Sequence, residues 1–329
     1  MSKAIGRLAQ LGIAKETVRG TPETAASFWI PWKDLTIDEV QEDIINQESY
    51  GVIEDSFSRD ISRQYMKGSL TAPISDKHFG LILLNVLGAV STGDNADSDA
   101  SIKDHTFTVA QSAQHQALSI FLDDPAGGQD YKHALGMIET LEISYELGQY
   151  ITYKIDFKAK KGATATLTPA TSTENRFTHK HVTFKLASAL SGLTAASAVT
   201  IKSFKLVIKT NLEDDFVLGS VDPADFLNKN LSIEGSVTAL WQNESDYKTA
   251  FLANTNKAMR IDIANTDVTI GTSANPLIRI DLAKAYFTEL GRAFKLNDLI
   301  MQDLKFKAVY SSGDSKAITC LVTNAQASY

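Results

Sequence analysis

Met66-Lys67-Gly68-Ser69-Leu70-Thr71-Ala72 and Ile233-Glu234-Gly235-Ser236-Val237-Thr238-Ala239 agree at four of seven positions, at an offset of 167 residues. Seven residues mean little alone, and the shared order of the segments downstream gives them weight. A helical stretch is expected after each, over residues 75–87 and 243–253, with Ser75 and Asn243 as candidate N-caps. Ala117-Leu118-Ser119-Ile120 then matches Ala258-Met259-Arg260-Ile261 at an offset of 141. Glu146-Leu147-Gly148 matches Glu289-Leu290-Gly291 at 143. Ile151, Ile155, Phe157, Lys158 and Ala159 match Ile300, Leu304, Phe306, Lys307 and Ala308 at 149. Collinear matches with loop-sized changes of offset are what domain duplication produces. The fall from 167 to 141 places 26 extra residues in the first copy, around the polar residues 88–104. The rise from 143 to 149 places six after Gly291. Residues 160–175, Thr- and Ala-rich with Pro169, read as the crossing between copies, so the domains are set at 1–168 and 169–329.

The local pattern is that of strands. Leu141, Ile143, Tyr145 and Leu147 alternate with Glu142, Ser144 and Glu146, and Ile151, Tyr153, Ile155, Phe157 and Ala159 alternate with polar residues. Gly148 lies between these runs, so the pair reads as a hairpin. Ile300, Leu304, Phe306, Ala308 and Tyr310 share a face in the second copy, and Phe204, Leu206 and Ile208 form another strand with Lys205 and Lys209 turned outward. The fold class expected is mainly β: two duplicated β-sandwich or barrel domains, each with one packed α-helix.

Composition sets the bounds. The 329 residues are 43 % hydrophobic and 22 % charged, ordinary for a protein with a buried core and long enough for two domains. No apolar run approaches the roughly 18 residues of a membrane span, and residues 79–90 read as a buried helix. Residues 1–10 lack the apolar centre of a signal peptide, and a single cysteine, Cys320, suits a reducing cytoplasm. A net charge of −7 with dispersed Lys and Arg argues against tight DNA binding.

No catalytic, cofactor or metal constellation rises above background, and no enzyme is expected. His179 and His181 fall on one face of an expected strand over residues 177–186, with no ligand partner nearby, and His78 reads as a packed or surface histidine. Asp94, Asp97 and Asp99 fail the calcium-loop pattern, because Asp99 and His105 stand where Gly and Glu are required, so a flexible polar loop is expected. Cys320 reads as a small core residue. Trp29, Trp32 and Trp241 are not grouped as a sugar platform, which weakens a carbohydrate-binding or hydrolytic β-protein as the rival.

Gly12-Ile13-Ala14-Lys15-Glu16-Thr17, followed by Val18-Arg19-Gly20-Thr21-Pro22 and then Phe28-Trp29-Ile30-Pro31 and Leu35-Thr36-Ile37, resembles the opening of phage tail tube proteins. The Lys67-Gly68-Ser69-Leu70 strand leading into the helix fits the same layout. In residues the resemblance is concentrated in the first 90. It implies a virion protein, made in the bacterial cytoplasm, whose sheet-rich domains form stacked rings around a channel for DNA and tape measure protein. Other ring-forming tail parts, a terminator or baseplate ring, are the nearer alternatives. A small open sheet leaves unpaired edges that ring closure removes, and a duplicated domain lets three chains supply six wedges. A trimeric ring with pseudo-six-fold symmetry is expected first and a hexamer second.

Two charged stretches, residues 41–64 and 212–230, are too long for ordinary connections. The resemblance makes them ring-stacking loops, with Glu42, Tyr50, Ile53, Phe57 and Arg59 in one and Glu213, Asp215 and Phe216 in the other. A channel wall should not hold phosphate, and Glu139, Glu142 and Glu146 offer an acidic strand face for it.

Overall fold

Apolar residues at every second position favour half-buried strands, and strands dominate the chain. The computed structural model describes residues 5–97, 99–125, 129–240, 247–294, 296 and 299–329. The first half contains β1 (Gln10–Lys15), β2 (Phe28–Ile30), β3 (Asp34–Asn46), β4 (Ser58–Pro73), helix α1 (Phe79–Leu87), β5 (Gly88–Asp94), β6 (Lys103–Val109), β7 (Leu118–Asp123), β8 (Asp130–Glu146), β9 (Thr152–Ala159) and β10 (Ala163–Ala165). The second contains β11 (Val182–Ala187), β12 (Ala198–Val199), β13 (Ile201–Lys209), β14 (Glu213–Asp215), β15 (Asp225–Leu227), β16 (Ser232–Leu240), helix α2 (Lys248–Leu252), β17 (Lys257–Ala264), β18 (Leu277–Ala293), β19 (Met301–Ala308) and β20 (Ile318–Asn324).

The two halves pair their strands in the same order. In the first, β3, β4, β9 and the C-terminal part of β8 form one antiparallel sheet. The N-terminal part of β8 joins β7, β1, β2 and β10 in a second. In the second half β13, β16, β19 and β18 repeat the first sheet. There β12, β11, β17, β18 and β20 repeat the second. The long strand changes sheets between Gly136 and Met137 in β8 and at Ala285 in β18, and a register break follows, between Ile138 and Thr140 in β8 and between Phe287 and Glu289 in β18. An extra residue there bends the strand. Both breaks lie beside the same cross-strand aromatic, Phe157 or Phe306.

The motif glycines explain themselves. Gly68 sits opposite Phe157, and Gly235 opposite Phe306. A Cβ at Gly68 would lie 2.6 Å from Phe157 Cζ and 2.7 Å from the Thr36 carbonyl oxygen. At Gly235 it would lie 2.4 Å from Phe306 Cζ and 2.5 Å from the Lys205 carbonyl oxygen. In each half a phenyl ring covers the place where a side chain would stand.

The pairings also correct the alignment. β8 and β18 match at 149 throughout, so Glu289 takes the position of Thr140, and the 143 offset for Glu146-Leu147-Gly148 was a slip of six. Leu118 pairs with Gly136 as Lys257 pairs with Ala285, which sets β7 against β17 at 139 rather than 141. Both slips are even, and an even slip keeps every side chain on its face. Alternation cannot detect them. Residues 88–104 are mostly the β5–β6 hairpin rather than a flexible loop, and Asp97 takes the Thr272, Ser273 and Ala274 N–H groups on its carboxylate. Ser75 does not cap α1, which begins at Phe79 with His78 as its N-cap and no side-chain cap bond. Asn243 and Trp241 lie outside the described residues. His179–His181 form a 3-10 turn, and the strand starts at Val182.

β13 pairs with β8 from Ser203↔Glu146 to Lys209↔Thr140, so the two four-stranded sheets are one, in the order β3-β4-β9-β8-β13-β16-β19-β18. β6 pairs with β20 and ties the second sheet of one half to the other. One apolar cluster runs through both halves and includes Leu70, Ile82, Phe157, Phe204, Ile280 and Phe306. All nine residues of α1 are buried, and Cys320 is a core residue. Among the described residues no helix is long and apolar enough to cross a membrane.

Candidate assembly surfaces

Residues 41–64 are an arm rather than a loop. β3 and β4 stay paired out to Asn46↔Ser58, well beyond the body of the sheet. Cross-strand ion pairs hold the arm, with Arg59 2.9 Å from Asp43 and Arg63 3.5 Å from Glu42. Such exposed pairs are each worth well under about 1 kcal/mol. At the tip Tyr50 stacks on Phe57 with ring centroids 4.0 Å apart. Ile53 is fully exposed, and Ile44, Ile45 and Val52 are mostly so.

The segment at the corresponding place in the second half behaves differently. β14 and β15 pair in a small hairpin that folds back onto the first half. Phe226 is fully buried against Ala117, Ala134, Leu135 and Met137. Phe216 packs edge-on to Tyr65 and lies under the Arg63 guanidinium, 4.7 Å away. Lys158 Nζ donates to Asp214 at 2.8 Å, and Gln64 N–H donates to the Val221 carbonyl. Glu213 pairs with Lys229 at 3.2 Å, and the Asp215 carbonyl accepts from Ala224. Glu213, Asp215 and Phe216 therefore lie in a docked segment, whereas Glu42, Tyr50, Ile53, Phe57 and Arg59 lie on a projecting one.

The Lys15-Glu16-Thr17 stretch and Gly20 act as a staple. Glu16 directly follows β1 and is 2 % exposed; its carboxylate accepts the Leu135 N–H at 2.6 Å and the Gly20 N–H at 2.7 Å. Leu135 has φ +58°, at the bend of β8. Burial pushes the Glu16 carboxyl above the usual range, against the pull of those two N–H groups. Arg19 then forks onto Asp225 and donates to the carbonyls of His115 and Phe226, fastening the docked segment.

Glu142 and Glu146 lie on the polar face of the eight-stranded sheet, as the alternation required. That face is not acidic. Glu142 is opposite Lys154 and bonds Lys205 at 2.8 Å; Glu289 bonds Lys305 at 2.7 Å and Glu234 bonds Lys307 at 3.2 Å. Glu139 occupies the bulge, and Asp156 and Asp303 sit near Lys154 and Thr238. The surface is a compensated checkerboard, which presents little net field to a polyanion.

One cluster resembles chemistry at first sight. Ser75 Oγ is 2.6 Å from His78 Nδ1, and both contact Glu174 Oε2. In a relay the histidine would use one ring nitrogen for each partner. Here both partners share Nδ1, while Nε2 is buried without a partner. Burial would raise the Glu174 carboxyl, but its bonds to His78 and Ser75 hold it below the ordinary range. The cluster fixes Glu174 to the residues that lead into α1. Among the described residues no group of three or more His, Cys, Asp or Glu is placed to hold a metal ion.

Sequence reasoning missed the edges. Among the described pairings β3 is bonded on one side only, and Glu289–Gly291 of β18 only to β19. Phe294, just past β18, is 71 % exposed, and Leu296 is almost fully so. Apolar residues in an otherwise polar turn were the available signal. A family model described as phage tail tube protein matches residues 6–308. A search of the curated proteins finds no match.

Proposed function

The chain belongs to the phage tail tube protein family, a structural component of the virion tail, and from that premise we propose that three copies close into a ring of six similar wedges. On this reading each half is one copy of a duplicated domain, divided near residue 168. Stacked rings form the hollow tube through which tape measure protein and DNA pass, with the chain synthesised beforehand in the host cytoplasm.

The observation that carries this reading is the junction inside the chain. The β13 edge of the second half completes the β8 edge of the first over seven residue pairs. β3 corresponds to β13, because Gly68 is opposite Ile37 as Gly235 is opposite Leu206. β18 corresponds to β8. The open edges of the eight-stranded sheet therefore correspond to the two edges that are already joined between its halves. Transferring the register places Leu35 of one copy opposite Phe294 of the next, Asp38 opposite Gly291, Glu39 opposite Leu290 and Val40 opposite Glu289. Tyr145, which holds the position of Phe294 within the chain, is 6 % exposed and stacks with Phe204, the counterpart of Leu35. Heterologous edges of this kind generate closed rings when the rotation permits. The arm then reaches the ring above or below, and the compensated face of the sheet lines the channel.

A protein carrying Leu35→Cys and Phe294→Cys tests it. Facing residues of an antiparallel pair are about 4.5–5.5 Å apart, within disulfide range. Oxidation should give a ladder ending in a closed species of three chains, and electron microscopy should show rings. Compact monomers at every concentration, or six chains per ring, would refute the trimer.

A further inference from the structure

We propose that the open groove between residues 109–115 and the second half is the seat for the base of the arm, residues 41–46 and 58–64, of a second copy of this chain; this deepens the ring reading and rests on it. The groove, of about 810 Å³, lies between residues 109–115 of the first half and a floor of Ser232, Ile233, Lys307, Ala308 and Val309 in the second, with Tyr310 on its rim. Its identity comes from the register. Met66 pairs with Ala159 as Ile233 pairs with Ala308. The floor of the groove therefore corresponds, in the first half, to Tyr65, Met66, Lys158, Ala159 and Lys160. That place is occupied. The segment 212–227 of the same chain fills it, through Asp214 on Lys158, Phe216 and Phe226 on Tyr65, and the Val221 carbonyl on Gln64.

Connectivity identifies the occupant of the second groove. The segment that fills the first seat joins β13 to β16, the strands that correspond to β3 and β4. In the ring, β3 of the next copy lies beside β18 as β13 lies beside β8. The segment joining that copy's β3 to β4 is its arm, and its base emerges over the groove. Charge agrees. Residues 212–227 carry five carboxylates and no Lys or Arg, and they meet Lys158. Residues 41–64 carry six carboxylates against two arginines, and the groove offers Lys307, half exposed and shared with Glu234 at 3.2 Å, in the place of Lys158. One end of the arm thus braces its lateral neighbour while the apolar tip beyond Asn46 remains available for stacking.

The test places a photoreactive phenylalanine analogue at Tyr310 or at Lys307 and mixes the substituted protein with an excess of isotope-labelled wild-type copies, so that assembly does not depend on the substituted chain. Rings are irradiated and the linked peptides identified by mass. Links joining either position to residues 41–46 or 58–64 of a labelled copy are expected. Links to those residues of the same chain, links to any other segment, or assembled rings without a link overturn the proposal while leaving the ring standing. Failure of the wild-type protein to form rings would instead bring down the ring reading, and this inference with it.

Discussion

Gly68→Ala and Gly235→Ala place one methyl group each at equivalent points of the two halves. At Gly68 the added carbon would stand 2.6 Å from Phe157 Cζ and 2.7 Å from the Thr36 carbonyl oxygen; at Gly235 the distances are 2.4 and 2.5 Å. An ordinary contact begins about an ångström further out, and one of the two obstacles is backbone in a paired strand, so neither site relaxes cheaply. Overpacking of this kind costs about 1–3 kcal/mol, against which alanine recovers roughly 0.5–1 kcal/mol of the glycine's chain entropy. We expect a net loss of about 1–2 kcal/mol at Gly68 and somewhat more at the tighter Gly235, read from denaturant midpoints at unchanged slope. Phe157→Leu should relieve part of the loss in Gly68→Ala, giving a favourable coupling near ~1 kcal/mol in the double-mutant cycle. Gly93, where an added Cβ meets nothing within 4 Å, is the control and should be neutral or slightly stabilising as Ala. If either motif glycine accepts Ala within about 0.5 kcal/mol, the phenyl-over-glycine contact is wrong and with it the argument that the two halves share this device.

Three further outcomes concern the staple, the buried imidazoles and the arm. Glu16→Gln leaves one carbonyl oxygen for two buried N–H donors, those of Leu135 and Gly20, and should cost about 1–3 kcal/mol in chemical denaturation. Burial lowers the imidazoles of His105, His115 and His133 below their usual value, so the unfolded chain binds more protons below about pH 6.5. Unfolding free energy should then fall as the pH drops through that value, by up to about 1.4 kcal/mol per pH unit for each histidine. A flat profile from pH 7.5 to 5.5 would contradict it. Glu16 and Asp76, both raised chiefly by burial, act with the opposite sign at lower pH, where protonation of the native state offsets part of the loss. Deleting residues 52–58 removes exposed side chains and no core, so the thermal transition should hold while polymerisation, read by sedimentation and microscopy, is lost.

How much of this was legible in the sequence depended on whether a feature lives on one strand or between strands. The Gly68 and Gly235 motifs, the β8–β9 hairpin and the buried helix were readable because alternation and local turns are written in neighbouring residues. The offsets of β7 and β8 were not, since slips of two and six residues leave every face unchanged. Residues 88–104 read as polar loop because the β5 strand, Gly-Ala-Val-Ser-Thr-Gly-Asp, is mostly exposed and acquires its structure from β6. The acidic strand face failed for a similar reason. Glu142 and Glu146 are acidic along β8, but Lys154 and Lys205 come from the strands on either side, and only the pairing shows that they share the surface.

The two long connections looked alike in sequence and differ in structure because they meet different neighbours. Residues 212–230 find the first half of their own chain, held at high effective concentration by covalent linkage, and dock upon it. Residues 41–64 belong to the edge hairpin of β3 and β4, where among the described pairings β3 is bonded on one side only, and stand out with their apolar tip bare. A lone domain would need a partner molecule for every junction. On the proposed ring, duplication makes every second junction intramolecular, so only three edges must be found by diffusion. The seven-pair contact between β8 and β13 is already formed in each subunit before it meets another. β3 and β18 lie at opposite ends of one eight-stranded sheet, so on the proposed ring each of them pairs with a neighbouring copy rather than with the other.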